Sequence, residues 1–500
     1  MLYHSTRGTV AAIPSAEAIK SGIAADGGLF VPIILPSITL SDIGDLVEKT
    51  YQERAMFILK NFLDDYTEDE LHGCVYNAYN SGKFTSSNIA PLHKLNENIS
   101  VLELWHGPTC AFKDMALQIL PHFMTNAMRK TGEKCEIVIL VATSGDTGKA
   151  ALEGFRDVDG TKIIVFFPKE GVSEVQKAQM VTQEGKNVYS IAVEGNFDDA
   201  QSGVKAIFTD TEMINTLIEN NIKFSSANSI NWGRLVPQIV YYFSAYADMV
   251  KNREIALGDK INFIVPTGNF GNILAGYYAK MMGLPINKLV CASNENNVLT
   301  DFIHNGTYNK NREFKKTNSP SMDILISSNL ERLLFEITGH DGKQISKWMS
   351  ELNTKGIYTV DEACKNDIDK LFWADFTTEG ETLTTIECIY KDYNYVIDTH
   401  TAVAVDVYDK YVISTGDMTK SVIVSTASPF KFNKSVATAI LGESKISGKD
   451  EFQISHILSK ECDIPVPPSL KDLEKKQILH KRVCAKQEMP SIVKDILKVK

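Results

Sequence analysis

Cysteine is sparse in this chain, eight among 500 residues (Cys74, Cys110, Cys135, Cys291, Cys364, Cys388, Cys462 and Cys484), and no two form a CxxC pair. That excludes a disulfide-built scaffold and leaves neither zinc-ligand nor thioredoxin-type spacing. The cysteines read instead as small buried hydrophobes in a reducing compartment. The ten histidines contain no HExxH, so metal-dependent hydrolysis has no support and no metal is expected. Apolar runs are short: none approaches the ~20 residues of a membrane span, and no membrane partner is expected. An excess of positive charge is also missing. Lys plus Arg is 52 against 62 for Asp plus Glu, a formal net charge of −10, which argues against a nucleic-acid partner. The opening MLYHSTRGTVAAIPSAEAIK lacks a charged-then-apolar signal and an Arg/Ser-rich transit pattern, and reads as cytoplasmic. What remains is 44% hydrophobic and 23% charged, the balance of a globular protein. Its length suits roughly two to four domains of about 150 residues.

From about residue 100 the chain alternates apolar runs with helical stretches. Glu136 to Ala142, Lys162 to Pro168, Asn187 to Val193 and Ile261 to Pro266 are near-continuous apolar runs, each followed by a helical pattern, and Ser421 to Val424 forms a last one. Strands of this kind with crossover helices predict a parallel α/β sheet. Residues 1–95 read as an N-terminal domain with a helical region from Asp42 to Asn61. Residues 96–440 read as an α/β core with a small subdomain at about 130–210 and a polar, helical elaboration at about 300–395. Residues 441–500 read as a helical tail.

Ligands of parallel sheets collect at the carboxyl ends of the strands. Three runs end there in small or polar residues: Ala142-Thr-Ser-Gly-Asp-Thr-Gly148, Pro266-Thr-Gly-Asn-Phe-Gly-Asn272 and Ser425-Thr-Ala-Ser-Pro429. In the second, Gly268 and Gly271 permit a sharp turn and close approach, and the following helix aims free N–H groups at it, a phosphate cradle without Lys or Arg. Its glycine spacing is not that of GxGxxG. Ala142 to Ala150 fails as a P-loop, with Thr143 where the first glycine should stand and Ala150 where Ser or Thr should bind magnesium. Taken singly, either loop is equally an ordinary strand-to-helix turn. In Gly107-Pro-Thr-Cys-Ala-Phe-Lys-Asp114 a lysine sits where a loop enters a helix; a surface charge by default, it becomes an amine nucleophile and proton carrier if desolvated.

In combination, HGPTCAFKD, ATSGDTG, PTGNFGN and STASP, in that order, resemble the threonine synthase family of fold-type II pyridoxal-phosphate enzymes. The likeness runs from YHSTRG and AADGGLFVP to about residue 435. It implies a tryptophan-synthase-β-like α/β fold of parallel and mixed sheets flanked by helices, with an N-terminal domain and a cofactor cleft between domains. It also implies pyridoxal 5'-phosphate carried by Lys113, its phosphate in the loop Gly268, Asn269, Phe270, Gly271 and Asn272, and its ring nitrogen at Thr426, with Ser425 the nearby second candidate. Ser144, Gly145, Asp146 and Thr147 resemble the loop that meets the substrate carboxylate and the ring oxygen. The implied reaction is that of a carbon–oxygen lyase acting on phosphates: O-phospho-L-homoserine and water give L-threonine and phosphate. For the substrate phosphate the candidates are Arg234, with Asn228, Ser229 and Asn231 beside it, and Lys169. Asp398-Thr-His-Thr-Ala402 resembles a family segment in which His400 reads as structural support, and Ser428 stands where the family often has histidine. The long elaboration suggests a monomer or weak homodimer. A phospho-lyase on the same scaffold, releasing 2-oxobutanoate, stays open as an alternative.

Overall fold

Runs of apolar residues without polar alternation suit strands covered on both faces, and here they fall into two separate sheets rather than one, the smaller wholly parallel and the larger parallel but for one edge strand. The computed structural model describes residues 1–499 except Ser144 and Gly171, with the side chain of Asp198 also left out. The larger sheet has six strands in the order Phe372–Phe376, Ile286–Ser293, Ile261–Pro266, Ser421–Ser425, Ile99–Glu103 and Leu92–Lys94. All neighbours are parallel except the last pair. Its two central strands, Ile261–Pro266 and Ser421–Ser425, are buried at every position. Because Ile99–Glu103, Ser421–Ser425 and Ile261–Pro266 run parallel as neighbours, the loops leaving them emerge side by side at one edge.

The smaller sheet has five parallel strands in the order Val483–Ala485, Val188–Glu194, Thr161–Pro168, Glu136–Ala142 and Ile222–Ser225. The segment 441–500, read from sequence as a helical tail, thus donates an edge strand to the smaller sheet: Val483 pairs with Ala192 and Ala485 with Glu194. Three residues that pair only with a distant strand leave no periodic signal.

The N-terminal region pairs Leu2–Ser5 with Ile13–Pro14 and Phe30–Pro32 in an antiparallel sheet. The helical stretch at 42–61 is broken into Leu40–Asp45 and Tyr51–Lys60. Thr50 starts the second helix through a reciprocal cap: its hydroxyl accepts from the Glu53 N–H while the Glu53 carboxylate accepts from the Thr50 N–H. Arg54 of that helix is buried and fixes the N-terminal region to the helix Trp232–Lys251, donating to Asp248 at 2.7 Å and to the Ser244 hydroxyl at 2.8 Å. Among the described residues no helix is long and apolar enough to cross a membrane.

Candidate functional site

Lys113 follows the strand Ile99–Glu103, and its loop is laced to the loop after Ser425. Leu104 N–H donates to Ser425 O at 3.0 Å, Phe112 N–H to Thr426 O at 2.8 Å, and Ser428 N–H to Cys110 O at 3.0 Å. Asp114 closes the loop from below, accepting from Thr109 N–H and Oγ1, each at 2.8 Å. Burial pushes the Asp114 carboxyl up to about 6. Lys113 itself is buried, with Nζ 4.9 Å from the centre of the Phe112 ring. Burial pulls its ammonium below the usual lysine range; Arg234 and Lys431 add repulsion, while Asp146 opposes both.

Asp146 opens the helix Asp146–Gly154 after the strand Glu136–Ala142, and both its oxygens are taken. Oδ1 meets Lys431 Nζ at 2.6 Å and Gln176 Nε2 at 2.8 Å; Oδ2 meets Ser321 Oγ at 2.9 Å and Lys113 Nζ at 3.5 Å. Burial alone would raise this carboxyl, but Lys431 and Lys113 outweigh it and hold Asp146 far below the carboxylate range.

The loop 267–272 caps the helix Gly271–Met281, and its left-handed residue is Phe270 (φ 63°), not either glycine. Gly268 is required for a different reason. A Cβ there would stand 3.1 Å from Ser321 O and 3.3 Å from Met322 Cα, because the segment 320–329 crosses directly over the loop. Ser327 Oγ donates to Gly268 O at 2.8 Å, and Asn329 Nδ2 donates to Asn269 O at 3.1 Å and Ser229 Oγ at 3.0 Å. Asn272 is buried, with Oδ1 accepting from Tyr241 OH at 2.5 Å and Tyr242 OH at 2.8 Å. Among the described residues its Nδ2 has no partner, an amide donor left over beside the glycine loop.

A cleft of about 880 Å³ between the two sheets joins these groups, with Lys113, Asp146, Thr147, Arg234, Gly268 to Asn272 and Thr426 on its wall. Arg234 is buried there. Its Nη1 donates to Ala227 O at 2.7 Å, and among the described residues no carboxylate lies within 4.0 Å of it. Burial lowers its guanidinium to about 10. Asn228 and Ser229 also line the cleft. Asn231 does not: its side chain caps the helix Trp232–Lys251 through Gly233 N–H and donates to Ile19 O. Lys169 lies outside as well, half-exposed in an adjoining cavity and 3.6 Å from Glu194. Ser425 is occupied by Trp105 Nε1 at 3.1 Å and Thr401 Oγ1 at 2.9 Å, whereas Thr426 lines the cleft. Ser144 lies outside the described residues.

Several groups at the site carried no local signal in the sequence: Gln176, Ser321, Asn329, Arg332 and Lys431. His400 supports the wall as expected: Nδ1–H donates to Asp398 at 2.8 Å, and Nε2 accepts from Ser321 N–H at 3.2 Å. The site fits a cofactor bearing an aldehyde and a phosphate, with a buried amine for the first and, for the second, a helix N-terminus and an unpartnered amide.

Family models described as threonine synthase N terminus, pyridoxal-phosphate dependent enzyme, and threonine synthase C-terminal match residues 2–79, 84–364 and 401–496. Human "Threonine synthase-like 1" is 40% identical over 484 residues, 94% of this chain, and the chain spans only 64% of that relative's length. A threonine synthase of Pseudomonas aeruginosa is 40% identical over 445 residues, covering 89% of this chain and 91% of the relative. The crystal structure of pyridoxal-phosphate-bound threonine synthase from Brucella melitensis superposes with a TM-score of 0.87 at 37% identity, over 99% of both chains. With family models matched along nearly its whole length and an architecture shared over 99% of a solved relative, the chain belongs to the threonine synthase family of pyridoxal-phosphate-dependent enzymes.

Proposed function

We propose that the protein converts O-phospho-L-homoserine and water to L-threonine and phosphate, using pyridoxal 5'-phosphate. The observation that carries the reading is a buried, partly desolvated lysine sharing one cleft with a glycine loop and a buried arginine that has no carboxylate partner among the described residues. When bound, the cofactor supplies an electron sink that acidifies hydrogens on the carbons next to the substrate's amino group. Lys113 holds it through the ε-amine and carries the protons removed from and returned to the substrate carbons. The N–H groups of Gly268 to Gly271, with Asn272 Nδ2, hold the phosphate. Thr426 offers the ring nitrogen a neutral hydroxyl, which tempers the sink and favours elimination over transamination. Thr147 and the first N–H groups of the helix Asp146–Gly154 receive the substrate carboxylate. Arg234, a buried cation without a carboxylate partner among the described residues, receives the substrate phosphate with Asn228 and Ser229.

Purified protein given phosphohomoserine is expected to release phosphate and threonine in equal amounts; 2-oxobutanoate without threonine would assign the phospho-lyase reaction instead. Two substitutions test the cofactor contacts. Thr426→Ala is expected to shift the absorbance of the bound cofactor and slow turnover, and an unchanged spectrum and rate would remove Thr426 from the ring nitrogen. Gly268→Val pushes its side chain into the segment at Ser321 and Met322. It should weaken cofactor retention on dialysis at least about tenfold, a change of only about 1.4 kcal/mol. Retention equal to that of the parent would place the phosphate elsewhere.

A further inference from the structure

Lys431 stands in the short turn Pro429–Phe432 after the strand Ser421–Ser425, with none of its surface exposed. It does not line the cleft. Its Nζ donates to Thr109 O at 2.9 Å and meets Asp146 Oδ1 at 2.6 Å, whereas Lys113 Nζ is 3.5 Å from Asp146 Oδ2. Two lysines therefore share one carboxylate, and they do so unequally. Lys431 has the short ion pair and a carbonyl that fixes it; Lys113 has a long contact and the face of an aromatic ring.

The charges facing Lys113 come from three elements. Asp146 faces it from the start of its helix, Lys431 from the turn after the central strand, and Arg234 from the helix Trp232–Lys251. Asp114, buried in the same loop, also attracts Lys431, but its oxygens are taken by Thr109; of the cations gathered around Asp146, the one most easily relieved of its proton is the one with the weakest partner. We propose that Lys431 is a positioning residue for Lys113: by taking the close ion pair with Asp146, it leaves Lys113 as the lysine that releases its proton and presents a free amine to the cleft. Without Lys431, Asp146 would turn its whole attraction on Lys113 and hold it as an ammonium, which has no lone pair to offer an aldehyde. The inference rests on Lys113 being the cofactor-carrying lysine.

The test measures Lys113 without cofactor or substrate. The full-length chain, stripped of cofactor, is trace-labelled with acetic anhydride across a pH series, and the peptide containing residue 113 is quantified by mass spectrometry. Lys431→Gln removes the charge while keeping a donor for the Thr109 carbonyl; Lys431→Met removes both. Each folded variant should move the labelling midpoint of Lys113 upward by about one to two pH units, the scale on which a neighbouring buried charge shifts a titrating group. Adding Asp146→Asn to Lys431→Gln should bring the midpoint back down. A purely structural role would lower stability without this pattern. A midpoint unchanged in Lys431→Gln, or not lowered again in the double variant, overturns the proposal. Failure of borohydride to trap the cofactor on residue 113 of the unsubstituted protein would overturn the proposed function instead, a readout separate from the labelling midpoint.

Discussion

Lys113→Ala is expected to lose borohydride-trapped cofactor at residue 113 and to lower turnover by at least about a thousandfold, with the fold retained. The size follows from losing two functions at once, the covalent anchor and the group that moves protons, the latter alone being worth about 10²–10⁴. The fold should survive because the loop is held by other groups: Thr109 and Asp114 close it, and Phe112 and Cys110 bond it to the residues after Ser425. Truncation also removes one of two cations on Asp146, but Lys431 stays at 2.6 Å, so the carboxylate keeps its closer partner. Circular dichroism and the denaturation midpoint separate this outcome from misfolding. A variant that retains the parent's absorbance and turnover would transfer the role to another lysine.

Arg332→Met is expected to be the most destabilising single change at the site. Arg332 is fully buried over Trp232, with no carboxylate within 4.0 Å among the described residues. Its guanidinium is spent on oxygens: Phe30 O at 3.0 Å, Asn329 Oδ1 at 2.5 Å, Ser229 O at 3.3 Å and Ile230 O at 2.6 Å. One side chain thereby ties the N-terminal sheet, the segment crossing the glycine loop and the wall beside Arg234 into one unit. Removing it strands these acceptors at about 1–3 kcal/mol each, so a loss of at least about 3 kcal/mol is expected in chemical denaturation. Cofactor retention should fall with it, because Asn329 bonds both Arg332 and Asn269. Lysine cannot reproduce a planar fork of donors, so Arg332→Lys should recover little. Stability and retention equal to the parent's would show that water replaces the guanidinium at no cost.

Much of the candidate site was legible because its chemistry is local. A lysine at a loop–helix junction, a glycine loop ahead of a helix, and three strand ends of one type are properties of a few consecutive residues, and near-continuous apolar runs mark buried parallel strands. The run Glu136 to Ala142 is a strand over the same residues, and Ile261 to Pro266 likewise. Local pattern misled where the decisive contact was distant. Asn231 reads like a substrate ligand beside Arg234, but its amide is consumed as a helix cap and by the Ile19 carbonyl. The edge strand Val483–Ala485 exists only because Val188–Glu194 offers it unpaired backbone.

By itself, then, the sequence determined which residues can do chemistry and which runs must be buried, since reactive group, turn geometry and hydrophobic period are written within a dozen residues. Tertiary structure alone decided how those residues are charged and held. Lys431 is 318 positions from Lys113 in the chain and Ser321 is 175 from Asp146, yet Lys113, Lys431 and Ser321 all meet at the Asp146 carboxylate. Electrostatic coupling and desolvation depend on distance in space and on what excludes water, and neither is a property of neighbouring letters.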